Sequence, residues 1–85
     1  MDVLFHNVSE LPEIFSSNRV FICKEDELIV FKCPCGCNDI IKLSTVPDSK
    51  PRWSFRPPNT ITPSINRTVN CKSHFSIENG KVKFH

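Results

Sequence analysis

Cysteine placement is the feature that most constrains this 85-residue chain: Cys33, Cys35 and Cys37 alternate with Pro and Gly, and Cys71 precedes His74 by three residues. Four thiolates are the number that a closed tetrahedral zinc site uses. Ordering a chain of this length costs on the order of 130 kcal/mol, so small domains have little net stability without an internal cross-link. A structural zinc adds about 10–16 kcal/mol of apparent folding free energy. The sequence therefore predicts a domain folded around a structural Zn²⁺.

Two ligand sets are compatible with the spacing, because C-x-C-x-C is tighter than the usual C-x-x-C half-site. The first consists of all four cysteines of the two clusters. The second combines Cys33 and Cys37 (or Cys35) with Cys71 and His74, since C-x-x-H is also a common half-site. Some of these thiols can alternatively be small buried apolar side chains. If sulfur alone fills the coordination sphere, the His74 imidazole stays free close to a fixed cysteine, as a general base requires.

Composition predicts one domain over residues 1–85, with 39% hydrophobic residues and a formal net charge of +2. The balanced charge and the lack of a basic stripe argue against a nucleic-acid partner. No apolar run reaches the length of a membrane span, which argues against a membrane partner. The N-terminus has no signal-peptide pattern, and the odd cysteine count favours reduced thiols. We therefore expect a cytoplasmic protein.

Hydrophobic patterning predicts a small mostly-β (α+β) zinc-stabilised domain, built of β-hairpins with one short N-terminal helix. The helix is predicted over residues 9–17, with Ser9 as N-cap and Pro12 in its first turn. Strands are predicted at 19–23, 28–32, 39–44, 52–55, 74–78 and 81–84. The last two form a hairpin around Asn79-Gly80, whose type I′ turn favours positive φ angles. Alternation in this hairpin directs four side chains to the core, namely Phe75, Ile77, Val82 and Phe84.

The candidate nucleophile is Ser64, which lies in the segment Thr62-Pro63-Ser64-Ile65, ten residues before His74. A proline-fixed turn there would present the hydroxyl beside backbone N–H groups able to stabilise an oxyanion. The alternative is that Ser64 caps a turn and has no chemical role. For a third residue orienting His74, Asp39 and Asp48 both remain open. His85, the last residue of the sequence, is predicted to be frayed.

Five short motifs can be read along the chain: Phe31-x-Cys33-Pro34-Cys35-Gly36-Cys37, Trp53-Ser54-Phe55, Pro63-Ser64-Ile65, Cys71-x-Ser73-His74-Phe75-x-Ile77 and Gly80-Lys81-Val82. Together they resemble a family of small bacterial proteins encoded beside ubiquitin-like conjugation genes, in operons called Bub. The similarity extends from about residue 10 to residue 84. The chain differs from the family pattern at Ser76, where an aromatic residue is expected, and over residues 66–70.

The resemblance implies a serine peptidase that trims ubiquitin-like precursors and removes ubiquitin-like proteins from their targets. It implies Ser64 as nucleophile, His74 as base, and a structural zinc held by the cysteines. Its partners would be a ubiquitin-like protein substrate and enzymes similar to ubiquitin-activating and ubiquitin-conjugating enzymes. Two alternatives stay open. The chain can be a non-catalytic zinc-ribbon-like module that binds proteins, or Cys35 can be a thiolate nucleophile if His74 is a metal ligand.

Overall fold

A computed structural model describes residues 2–16, 18–67 and 71–85. These residues form eight strands in two four-stranded sheets. The strands are β1 Leu4–Val8, β2 Arg19–Cys23, β3 Leu28–Lys32, β4 Ile40–Ser44, β5 Ser54–Arg56, β6 Thr60–Asn66, β7 His74–Glu78 and β8 Lys81–Phe84. Strand order in the first sheet is β1-β2-β3-β4, with β1 parallel to β2 and the other pairs antiparallel. The second sheet has the order β5-β6-β7-β8 and is antiparallel throughout.

The predicted helix over residues 9–17 is absent, so the α+β fold class is wrong and the described chain is all-β. Ser17 itself lies outside the described residues. Only ten residues connect Val8 to Arg19, and they must return along the length of β1 because β1 and β2 are parallel. Helical crossovers between parallel strands need a dozen residues or more. Ile14, an apolar residue of this segment, is 84% exposed, so the segment has no fully buried apolar face of the kind that stabilises a short helix.

Both predicted hairpins are present at the predicted residues. β2 pairs with β3 across residues 24–27, and β7 pairs with β8 across a two-residue turn. Asn79 and Gly80 in that turn have φ angles of 52° and 77°, the left-handed conformation that Asn and Gly tolerate best. Of the four side chains predicted to face the core in this hairpin, Phe84 is 50% exposed. It still contacts Phe75, with ring centroids 5.9 Å apart.

One hydrophobic core lies between the two sheets. Phe31 of β3 and Phe75 of β7 meet edge to face, with ring centroids 6.2 Å apart. Both rings are almost fully buried, so this contact ties the sheets together at the end of β3 that leads to the cysteines. The other core residues alternate along the strands of both sheets, and they include Val20, Ile22, Ile29, Ile41, Leu43, Ile61, Ile65 and Ile77.

The segment around Ser64, predicted to be a turn, is part of strand β6. Ile61 pairs with Ile77 and Ile65 pairs with Phe75, so β6 has two more residues than β7 between these positions. Such a bulge bends one strand and redirects its side chains. Ile61 and Ile65 are buried, whereas Pro63 and Ser64 between them are exposed. The bulge therefore places the Ser64 hydroxyl on the outer face of the second sheet.

Within the described ranges, no helix is long and apolar enough to cross a membrane.

Candidate active site and metal centre

The four clustered cysteines come together at one end of the two sheets, with all four Sγ atoms within 4.8 Å of one another. The Sγ of Cys33 lies 3.3 Å from that of Cys35 and 3.6 Å from that of Cys71. In a tetrahedral site with Zn–S bonds of about 2.3 Å, neighbouring sulfurs are about 3.8 Å apart. The cluster therefore has the ligand number, the ligand type and the spacing that a zinc ion requires.

Local backbone structure explains why the cysteines converge. Cys33 follows the end of β3, and its N–H donates to the Asp39 carbonyl at 2.7 Å, which closes the loop between β3 and β4. Gly36 and Asn38 have φ angles of 94° and 68°, so the loop turns sharply enough to direct three thiols to one point. Cys71 approaches from the second sheet, three residues before β7 begins. A bound ion would thus cross-link the two sheets.

The thiols of the cluster differ in acidity. Hydrogen bonds from the Ser73 hydroxyl and then from the Ser73 backbone lower the pKa of Cys71 to about 6. The hydrogen bond with Cys33, followed by desolvation, raises the pKa of Cys35 to about 12. Crowded thiols resist losing all their protons, because thiolates repel one another. A divalent cation removes this obstacle, since it binds the deprotonated sulfurs.

Arg67 supplies positive charge beside the cysteines. Its Nη2 lies 3.2 Å from Oδ2 of Asp39, and its side chain is only 13% exposed. Burial works against the charged form, but the Asp39 hydrogen bond and the thiols of Cys33 and Cys71 raise the pKa of Arg67. Its Nη1 is buried without a hydrogen-bond partner among the described residues. Four thiolates around Zn²⁺ carry a net charge of −2, and this guanidinium is placed to offset part of it.

His74 lies outside the cysteine group and contacts Ser64 instead. Its Nε2 is 3.0 Å from the Ser64 Oγ, and both residues are exposed. Asn66 and His74 are direct partners across β6 and β7, and Ser64 is two residues before Asn66 on the same strand. Diagonal neighbours on one face of a sheet lie within side-chain reach. Of the two ligand sets compatible with the sequence, the structure assembles the sulfur-only one and leaves the imidazole on the serine.

His85 was predicted to be frayed, and this prediction is wrong. Its N–H donates to the His74 carbonyl at 2.8 Å, and its ring centroid lies 4.9 Å from that of His74. Its Nε2 is 3.1 Å from the hydroxyl of Ser76, a buried serine on β7. The sequence contains a signal for this position: a two-residue turn at Asn79-Gly80 fixes the register and sets His85 opposite His74.

The candidates for a third residue occupy different positions. Asp39 accepts a hydrogen bond from Arg67 beside the cysteine cluster. Asp48 is exposed in the turn after β4. The ring packed against His74 is that of His85.

Trp53 lies next to the serine. Its indole Nε1–H donates to the Ser64 carbonyl at 3.5 Å, and its backbone N–H donates to the Ser44 carbonyl at 2.9 Å. The aromatic motif of the sequence therefore connects the end of β4 to the middle of β6. Trp53 thus contacts Ser64 on one side of β6, and β7 pairs with β6 on the other.

A serine hydroxyl within hydrogen-bond reach of a histidine is the pairing that serine hydrolases use, and the four cysteines beside it could hold a metal ion. Residues 7–85 match the family described as bacterial ubiquitination-like system serine protease (BubE). The chain belongs to this family, in agreement with the resemblance seen in its motifs. No curated protein and no solved structure matches the sequence.

Proposed function

We propose that this protein is a serine peptidase that matures ubiquitin-like precursors and cleaves ubiquitin-like proteins from their targets. Ser64 is the nucleophile and His74 the general base. The observation that supports these roles is the 3.0 Å distance from Ser64 Oγ to His74 Nε2, at the distance that proton transfer requires. Membership in a family of serine proteases from a bacterial ubiquitination-like system supports the substrate class.

The reaction begins when His74 Nε2 accepts the Ser64 hydroxyl proton as Oγ attacks the carbonyl carbon of the scissile bond. The tetrahedral intermediate collapses when the imidazolium donates this proton to the leaving amine, which gives an acyl-enzyme ester on Ser64. Water, deprotonated by the same imidazole, hydrolyses the ester and regenerates the serine. His85, packed against the His74 ring, positions the base and does not itself exchange protons with the substrate.

A donor for the oxyanion must come from near Ser64. Pro63 has no N–H. Arg67, directly after β6, and Ser73, directly before β7, are a hydrogen-bonded pair, and in an antiparallel ladder such pairs recur at every second residue. Ile65 and Phe75, two residues further along, are therefore also a hydrogen-bonded pair, and the Ile65 N–H is directed to β7. Of the three residues from 63 to 65, Ser64 itself therefore has the backbone N–H suited to the developing negative charge.

The proposed metal is a structural Zn²⁺ held by Cys33, Cys35, Cys37 and Cys71. When bound, it supplies a cross-link between the loop after β3 and the segment before β7. It takes no part in proton transfer. This cross-link fixes the start of β7, where His74 lies, so the geometry of the base depends on the cysteines.

Substitution of Ser64 by Ala tests the catalytic roles. With a ubiquitin-like protein fused to a reporter at its C-terminus, we expect S64A to lose at least about a thousandfold in kcat, since loss of a nucleophile removes the covalent route. Its zinc content and melting temperature should match those of the unaltered protein. Ser9→Ala is the matched control, because Ser9 is exposed and follows β1 of the other sheet. Equal cleavage by S64A and S9A would refute the assignment, and no cleavage by any form would favour a protein-binding module.

A further inference from the structure

A cleft of about 270 Å³ lies between the two sheets and is lined by Ile65, the residue after Ser64. One wall is formed by residues 40–43 of β4, the other by residues 65–67 of β6 and the chain after it, with Trp53 at one end. Its volume falls below the usual range for small-molecule sites, about 300–1,000 Å³. This shape suits a single extended chain better than a cofactor.

The β4 wall has backbone groups directed into the cleft. β4 is an edge strand of its sheet. The backbone hydrogen bonds from Cys33 to Asp39 and from Thr45 to Glu27 lie at the two ends of the β3–β4 ladder. Because hydrogen-bonded positions alternate along the strand, the odd-numbered residues from 39 to 45 direct their backbone groups to β3. In an antiparallel pair the intervening residues direct their N–H and C=O groups away. For Lys42 that direction is the cleft.

The β6 wall is open in the same way. β5 pairs with β6 only from Thr60 to Thr62, so the second half of β6 has a ladder partner on the β7 side alone. The Arg67 N–H donates to the Ser73 carbonyl, which directs the backbone groups of Asn66 away from β7. The backbone N–H and C=O of Asn66 are therefore directed to the side of β6 on which β5 pairs further back along the strand.

Trp53 shows how a chain fits between these walls. Its backbone N–H bonds to Ser44 on the β4 side and its indole N–H to Ser64 on the β6 side. The cleft continues from this point past Lys42 and Asn66, with no other strand of the described residues filling it. Lys42 is exposed and Arg67, which is paired with Asp39, also lines the cleft, so the cleft has two basic side chains along its walls.

We propose that this cleft binds the extended C-terminal tail of the ubiquitin-like substrate as an added strand, an inference that rests on the proposed function. The tail's main chain pairs with the backbone of Lys42 and of Asn66, and its carbonyl then reaches Ser64 at the Trp53 end. Strand addition derives affinity from main-chain hydrogen bonds. Recognition therefore depends on an extended backbone more than on particular side chains.

Binding is tested with the S64A protein, which separates it from cleavage. The ubiquitin-like protein of the same bacterial system is titrated into ¹⁵N-labelled S64A, with an intact tail or with its tail removed. We expect the amide protons of Lys42 and Asn66 to shift downfield with the intact tail only. Those of Leu43 and Arg67 are internal references, because their N–H groups are directed to β3 and β7.

Kinetics provide a second test. Lys42→Pro removes an N–H that β3 does not use, whereas Lys42→Ala removes the charge and keeps the N–H. We expect KM for K42P to be about two- to tenfold higher than for K42A, the effect of one lost hydrogen bond. If K42P does not fold, the amide shifts of Lys42 and Asn66 in the S64A protein test the proposal without it.

Two results would overturn the proposal even if cleavage proceeds. In the first, the amide protons of Lys42 and Asn66 shift no more than those of the reference residues. In the second, they shift equally when the tailless ubiquitin-like protein is added. Tail-dependent shifts without cleavage by the unaltered protein would support the cleft and refute the peptidase function.

Discussion

Removal of the proposed Zn²⁺ is expected to unfold the protein. A domain of 85 residues has a net stability of about 4–13 kcal/mol at typical values per residue. A four-cysteine zinc site contributes about 10–16 kcal/mol of apparent folding free energy, which is comparable in size to the whole net stability. Two observations agree with a large metal contribution: Cys33 is 1% exposed inside the core, and the cysteine cluster joins the loop after β3 to the segment before β7, across the two sheets. The metal-free chain should therefore lack a stable fold at 25 °C.

The assay compares zinc-loaded protein with protein treated with a chelator and a reductant. Far-ultraviolet circular dichroism and Trp53 fluorescence report the sheets and their interface, and a thermal scan tests for a cooperative transition. Cys35→Ser should reproduce the metal-free behaviour at ordinary zinc concentrations. Cys23→Ala is the control, because Cys23 is buried on β2 outside the cluster, and it should retain one zinc per chain. A metal-free protein with a cooperative transition within about 5 °C of the loaded form would refute this reasoning.

Two further predictions concern residues around the two centres. His85→Ala should lower kcat by on the order of tenfold with little change in KM, because the ring packed on His74 is lost and small misplacements of a base slow the chemistry. His85→Gln, which can keep the hydrogen bond to Ser76, should retain more activity, and equal kcat values for both variants would contradict a positioning role. Arg67→Met should weaken zinc binding by about 10- to 100-fold, as loss of an outer-shell partner does, measured by competition with a chromogenic chelator. An unchanged zinc affinity in R67M would exclude charge compensation by this residue.

Strand positions could be predicted wherever local rules decide them. The β2–β3 and β7–β8 hairpins follow from apolar runs bounded by charged or Asn-Gly turns, and the sequence predicted both. β1 and the strand character of β6 were missed. Leu4–Val8 has no strict alternation, and β6 contains a proline at its bulge. Each becomes a strand only through its neighbour, β2 for the first and β7 for the second.

The helix prediction failed for a related reason. Residues 9–16 have a helix-like spacing of apolar side chains, but the parallel pairing of β1 with β2 limits the path of the connection. Pairing partners far apart in sequence are decided by the whole fold and not by the segment. The apolar spacing of this segment favours a helix, but the parallel pairing of β1 with β2 determines its conformation.

By itself, the sequence determined the chemistry available to this protein: four thiols able to satisfy a metal, and a serine and a histidine as candidates for proton transfer. Ligand type and number are local properties, so residue identity is enough to specify them. Only the tertiary structure decided that the imidazole lies beside Ser64 and not among the four thiols, because the β6 bulge and the β6–β7 register set that 3.0 Å contact. It also decided that His85 lies against His74 and that a cleft with open strand edges runs beside the serine. Register and sheet packing depend on all the strands at once, and no single motif specifies them.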